Sequence, residues 1–106
     1  MIPPKKSKYS NVITIVDNIR FSSKKEARYY GILKLKKLAG EITSFQMQVR
    51  YDFAINGVKV CTYVADFVTE GKNGKEVIDV KGFRTPIYNL KKKLMKAIYS
   101  IEIKEV

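Results

Sequence analysis

The chain opens its patterned region with Val12-Ile13-Thr14-Ile15-Val16, a β-branched run, and returns after Asp17-Asn18 through Ile19-Arg20-Phe21. Two short apolar runs around an Asp-Asn pair predict a small hairpin. At Ser23 the period changes. Ser23-Lys24-Lys25-Glu26 has the spacing of a capping box, in which hydroxyl and carboxylate satisfy free N–H groups of a first helical turn. Good helix formers continue to Ala39, and Gly40 supplies the stop. From Glu41 to Lys81 the apolar residues recur with period two and are largely β-branched or aromatic, which predicts strands over about 42–53, 59–69 and 76–81. The separators Asn56-Gly57 and Gly71-Lys72-Asn73-Gly74 tolerate positive φ, so the three strands are expected as an antiparallel meander. Thr85 as N-cap and Pro86 at the first helical position then open a helix to about Tyr99. Ile87, Leu90, Leu94 and Ile98 predict its apolar face, with Lys91 among them and Lys92, Lys93 and Lys96 pointing away. Ile101-Glu102-Ile103-Lys104 alternates and reads as a last short strand.

The resulting class is α/β, a mixed central sheet flanked by helices and preceded by the N-terminal β-hairpin. A basic arm over residues 1–10 precedes a single domain over 11–106, and a chain of 106 residues has room for one such unit. Its apolar fraction of 45% is enough to fold a globule.

Charge narrows the chemistry. Lys and Arg number 21 against 10 Asp and Glu, a formal net charge of +11, which points to a polyanionic partner, nucleic acid first. The absence of histidine removes Ser-His-Asp and Cys-His nucleophiles, His-ligated zinc and an imidazole base. The single cysteine, Cys61, forms no internal disulfide and reads as a half-buried strand residue. No apolar run is long enough to span a bilayer and no signal core follows the start, so no membrane partner and a cytoplasmic location are expected.

In so basic a chain the acids need reasons. Asp17 has a turn and Glu41 a helix end, while Glu102 and Glu105 read as solvent-side residues and Asp52 has no evident role. Asp79 interrupts the apolar run Val77-Ile78-Asp79-Val80, and Lys81 leaves the same face of that strand. Asp66 interrupts Tyr63-Val64-Ala65-Asp66-Phe67-Val68 on the hairpin partner in the same way. Two carboxylates on adjacent strands with an ammonium at their edge suit Mg²⁺ or Mn²⁺. Taken singly, Asp79 with Lys81 also reads as a structural ion pair and Asp66 as a sheet-edge charge. Glu76 begins its strand with opposite parity to Asp79 and ranks below it. Lys91, inward in the first half of its helix, either reaches the carboxylate pocket and contacts a phosphate or snorkels past the core.

Glu26 on the first helix, then Asp66, then Asp79-Val80-Lys81, followed by a Lys-rich helix, resembles the PD-(D/E)XK nuclease superfamily. The longer pattern Phe21-Ser22-Ser23-Lys24-Lys25-Glu26-Ala27-Arg28-Tyr29, Gln46-Met47-Gln48, Tyr63-Val64-Ala65-Asp66-Phe67 and Asp79-Val80-Lys81-Gly82-Phe83 resembles small phage-encoded, Holliday-junction-resolvase-like endonucleases over about residues 19–104. It departs from them in having Ala65 where a proline precedes the first aspartate and Asp79 where a glutamate opens the triplet.

The resemblance implies a restriction-endonuclease-like αβββαβ core and metal-dependent hydrolysis of DNA phosphodiesters inside a phage-infected or bacterial cell. Asp66 and Asp79 would be metal ligands, with the Val80 carbonyl as a third and Glu26 as a first-helix acid binding directly or through water. Lys81 would orient or activate the attacking water. Glu26 also has a complete structural explanation in its capping box. Gln48 follows as a residue at the rim of the site. Lys24, Lys25, Arg84, Lys92 and the arm lysines Lys5, Lys6 and Lys8 are candidate phosphate contacts, and each also reads as a solvated surface charge. Branched DNA selected by shape, and a homodimer making paired incisions, are further expectations from the same source. A nucleic-acid-binding module that keeps the fold without cutting is the alternative.

Overall fold

The computed structural model describes residues 12–80 and 84–106. The arm, Lys81, Gly82 and Phe83 lie outside them. The order is β1 (Thr14–Val16), β2 (Ile19–Phe21), α1 (Lys24–Leu38), β3 (Ile42–Ile55), β4 (Val58–Gly71), β5 (Gly74–Asp79), α2 (Pro86–Tyr99) and β6 (Lys104–Glu105). β1 and β2 pair antiparallel, and a separate four-stranded sheet runs in the order β3-β4-β5-β6. Its first three strands are the antiparallel meander and β6 adds parallel to β5, so the sheet is mixed.

Local chemistry places the joints. Asp17 and Asn18 both have positive φ (53° and 62°), as do Asn56 and Gly57 (52° and 78°), the geometry of a two-residue hairpin turn that follows strand twist. Ser23 Oγ accepts the Glu26 N–H at 3.1 Å and Thr85 Oγ1 accepts the Tyr88 N–H at 3.0 Å, so both predicted N-caps form. The Glu26 carboxylate reaches past the cap to Ser22, taking its N–H at 3.3 Å and its hydroxyl at 2.6 Å. The last strand begins at Lys104, later than the 101–104 run predicts, because Ile101 and Ile103 are spent packing against the core before the chain reaches β5.

Two clusters make the interior. α1 contributes Ala27, Tyr30 and Leu33 to a cluster with Phe67, Ile78 and Val80. α2 contributes Tyr88 and Met95 to a second with Tyr51, Phe53, Tyr63, Ala65 and Val77. Val77 and Ile78 are successive on β5 and belong to different clusters, so the helices cover opposite sheet faces. The apolar face expected for α2 needs correction. Ile87 and Leu90 are more than half exposed, whereas Tyr88 and Met95, one heptad apart, are the buried pair. The tyrosine displaces the aliphatic stripe because it has both a ring to bury and a hydroxyl to spend on a carboxylate.

One feature of β3 was not visible as period two. Phe45 and Met47 pack on the α1 side, but Val49, Tyr51 and Phe53 pack on the α2 side. Gln48 between them has φ +53°, a left-handed conformation uncommon outside glycine, and it turns the pleat over. β4 makes the same change across from it, with Ala65 on the α2 side and Phe67 on the α1 side.

Candidate functional site

The pleat reversal sets the site. Met47 pairs with Phe67 and Val49 with Ala65, which puts Gln48 opposite Asp66. Phe67 pairs with Ile78, so the next step of that register brings Asp66 level with Asp79, and Asp79 pairs with Glu105. A transverse row of Gln48, Asp66, Asp79 and Glu105 therefore crosses all four strands at one level.

Each member is held. Asp66 Oδ2 accepts the Val80 N–H at 2.7 Å, just past the end of β5. Asp79 is 0% exposed, and its Oδ2 accepts the Tyr63 hydroxyl at 2.6 Å. Burial, then the hydrogen bond to Asp79, pushes the Tyr63 phenol far above its ordinary value, so it remains a donor into strongly alkaline solution. The nearby Asp79 charge, and to a lesser degree that of Asp66, shifts the phenol in the same direction. Gln48 Nε2 donates to Glu26 Oε1 at 3.0 Å and thereby ties the first helix to the row. Glu26 is 3% exposed, with Oε1 on Gln48 and Oε2 on Ser22.

At the far end, Glu105 Oε2 accepts the Tyr88 hydroxyl at 2.8 Å, and Oε1 accepts Arg84 Nη2 at 2.6 Å and Lys92 Nζ at 3.2 Å. The Tyr88 bond, followed by Lys92, holds the Glu105 carboxyl below the usual glutamate range. The Tyr63 and Tyr88 rings lie 6.5 Å apart, so two tyrosine-carboxylate pairs stand side by side between sheet and α2. Glu105, expected on the solvent side, is instead half-buried. Its role is a consequence of the parallel β5-β6 register, which no local pattern reveals.

The helix α2 has two flanks. Toward β4, Lys91 is half-buried in a cleft of about 260 Å³ with Tyr63, Thr62 and Tyr88, on the side of the Asp79 donor. Toward the C-terminal segment lies an open groove of about 570 Å³ lined by Arg84, Asn89, Lys92, Lys93 and Lys96. Lys24 and Lys25 stand exposed on the first turn of α1. Lys81 falls outside the described residues. Tyr63 and Tyr88, which hold Asp79 and Glu105, carry no signal in the sequence that sets them apart from the other tyrosines.

Among the described residues, no three acidic or thiol side chains gather into a metal-ligand cluster. The hard oxygens of Asp66 and Asp79, level on neighbouring strands, are nevertheless a donor set of the kind that Mg²⁺ or Mn²⁺ takes together with a main-chain carbonyl and water. Glu76 pairs with Lys104 at 3.6 Å, away from this row.

Fold and site together define an α/β protein with a mixed sheet, two flanking helices and a polar row across its centre. A family model described as Protein of unknown function (DUF1064) matches residues 6–105, and the chain belongs to that family. No curated protein and no solved structure matches it. No helix among the described residues is long and apolar enough to cross a membrane.

Proposed function

We propose that the chain is a Mg²⁺- or Mn²⁺-dependent DNA endonuclease on a restriction-endonuclease-like αβββαβ core of the PD-(D/E)XK kind. The observation that carries this reading is the level placement of Asp66 and Asp79 on adjacent central strands of a chain with net charge +11. Asp66, Asp79 and the Val80 carbonyl would hold a hard divalent ion, which supplies an activated water and positive charge for phosphodiester hydrolysis. The chain's own groups prepare the site. The Val80 N–H fixes Asp66, Tyr63 fixes Asp79, and Gln48 with Ser22 fixes Glu26.

Lys81 is the proposed cation beside the attacking water, and Lys91 reaches toward the phosphate from its cleft. Lys24, Lys25, Arg84 and Lys92 belong to the basic surface that holds the backbone, a sequence-independent mode of contact. Selection of branched DNA by shape, action as a homodimer and a cytoplasmic setting complete the proposal. The competing reading, binding without cutting, draws on Glu26, whose two oxygens are already engaged by Ser22 and Gln48.

The deciding experiment is cleavage of linear duplex, single-stranded and four-way-junction DNA with Mg²⁺ or Mn²⁺, by the wild type and by Asp79→Asn. Cutting by the wild type that disappears in the variant supports the endonuclease. Wild-type binding without cutting of any substrate leaves the binding module. Cutting that survives both Asp79→Asn and Lys81→Ala overturns the site.

A further inference from the structure

The groove between α2 and the C-terminal segment carries more positive charge than the fold requires, and two carboxylates of that segment hold most of it. Arg84 and Lys92 share Glu105 Oε1, and Lys96 Nζ donates to Glu102 Oε1 at 3.0 Å. Lys93, exposed in the same groove, has no acidic partner among the described residues. The donor set converging on Glu105, a guanidinium, an ammonium and a phenol at 2.6, 3.2 and 2.8 Å, is the one that proteins present to a backbone phosphate oxygen. Glu105 also pairs with Asp79, so a phosphate in its place would sit one strand from the central carboxylates.

We propose that the α2 groove is a tract for the nucleic-acid backbone and that the Glu105 carboxylate occupies a phosphate position in it, to be displaced when nucleic acid binds. This inference deepens the nuclease reading and rests on its nucleic-acid partner, but it concerns binding alone. A bound phosphate takes over Arg84, Lys92 and Tyr88, and Glu105, half-buried while it holds them, turns out to solvent. The free protein thus keeps these cations ordered while reducing their pull on unselected polyanions.

The test is binding of a short labelled DNA duplex in EDTA, read by fluorescence anisotropy across a salt series, with thermal unfolding as the check on folding. Counterion release gives a slope of roughly 0.9 in log K per phosphate contact, which is about five-fold in affinity at physiological salt. Glu105→Gln is expected to tighten binding by about five-fold for each cation released and to steepen the salt dependence by roughly one contact. Lys93→Glu is expected to weaken binding by at least about five-fold and to make the slope shallower. A folded Glu105→Gln protein with unchanged or weaker affinity overturns the proposal. If Glu105→Gln does not fold, Lys93→Glu decides, and unchanged affinity in that variant overturns it. A wild type that binds as expected but never cuts overturns the endonuclease reading alone, because no arm of this experiment involves cleavage.

Discussion

Replacing Tyr63 by phenylalanine isolates one hydrogen bond in the buried half of the site. Tyr63 is 3% exposed and Asp79 0% exposed, with 2.6 Å between hydroxyl and carboxylate. The ring remains in the cluster with Tyr51, Ala65 and Val77, so packing changes only by the volume of one oxygen. What is lost is a donor to an acidic side chain that water cannot reach. Hydrogen bonds to charged groups contribute about 1.5–3 kcal/mol, and the buried setting favours a value of about 2 kcal/mol. For a chain of this size that lowers the melting temperature by on the order of 10 °C. Urea and thermal unfolding of the wild type, Tyr63→Phe, Asp79→Asn and the double variant measure both the loss and its coupling. The cost of Tyr63→Phe should fall by at least about 1 kcal/mol when position 79 is an amide, because a neutral acceptor gains less from the phenol. A loss below about 0.5 kcal/mol, or equal losses in the two backgrounds, refutes the reasoning.

Three further outcomes follow from features elsewhere. A Cβ on Gly71 would lie 2.6 Å from the Glu41 carbonyl oxygen and 2.8 Å from Ile42 Cα, both backbone, so Gly71→Ala should cost about 1–3 kcal/mol in urea unfolding; a neutral substitution would mean that β3 yields there. At Gln48, glycine relieves the left-handed conformation whereas alanine keeps it, and both lose the bond to Glu26. Gln48→Gly should therefore be more stable than Gln48→Ala by about 1 kcal/mol, and equal stabilities would contradict the reversed pleat. Glu105, held low first by Tyr88, contributes stability at pH values above about 4.5 that is lost as pH falls through its depressed folded value. Carbon-13 NMR titration should place its midpoint below that of an exposed glutamate and move it upward in Tyr88→Phe; an unmoved midpoint rules out the phenol as the cause.

What the sequence made legible is local. Asp17-Asn18, Asn56-Gly57, Ser23 and Thr85 act within four residues of themselves, and their turns and caps stand where backbone chemistry puts them. Asp66 and Asp79 could be singled out because a charge in an apolar strand needs a reason. The α2 face is legible only in part, with Leu94 packed against the core but Ile87 and Leu90 exposed, because periodicity ranks residues by hydrophobicity, while Tyr88 is selected by a carboxylate seventeen positions away. Asp52 likewise gains its role only across the hairpin, accepting Thr62 Oγ1 at 2.7 Å beside Arg50. Gln48 looked like a residue at a rim. Its backbone reverses the face of β3, and a regular alternation written in sequence gives no sign of such a reversal.

That reversal divides the labour of the sheet. Along β3 the α1 cluster takes Phe45 and Met47 and the α2 cluster takes Val49, Tyr51 and Phe53, and the row from Gln48 to Glu105 crosses the sheet at the seam where the two meet. Substitutions in the α1 cluster and in the α2 cluster should therefore be felt as separate and nearly additive losses. A seam residue has no packing duty in common with either cluster, so its identity is set by what it must hold or release. The chemistry of this protein can therefore be retuned at one level of the sheet, where Gln48 turns toward α1 and Asp79 and Glu105 toward the α2 tyrosines, without rebuilding the two cores that position it.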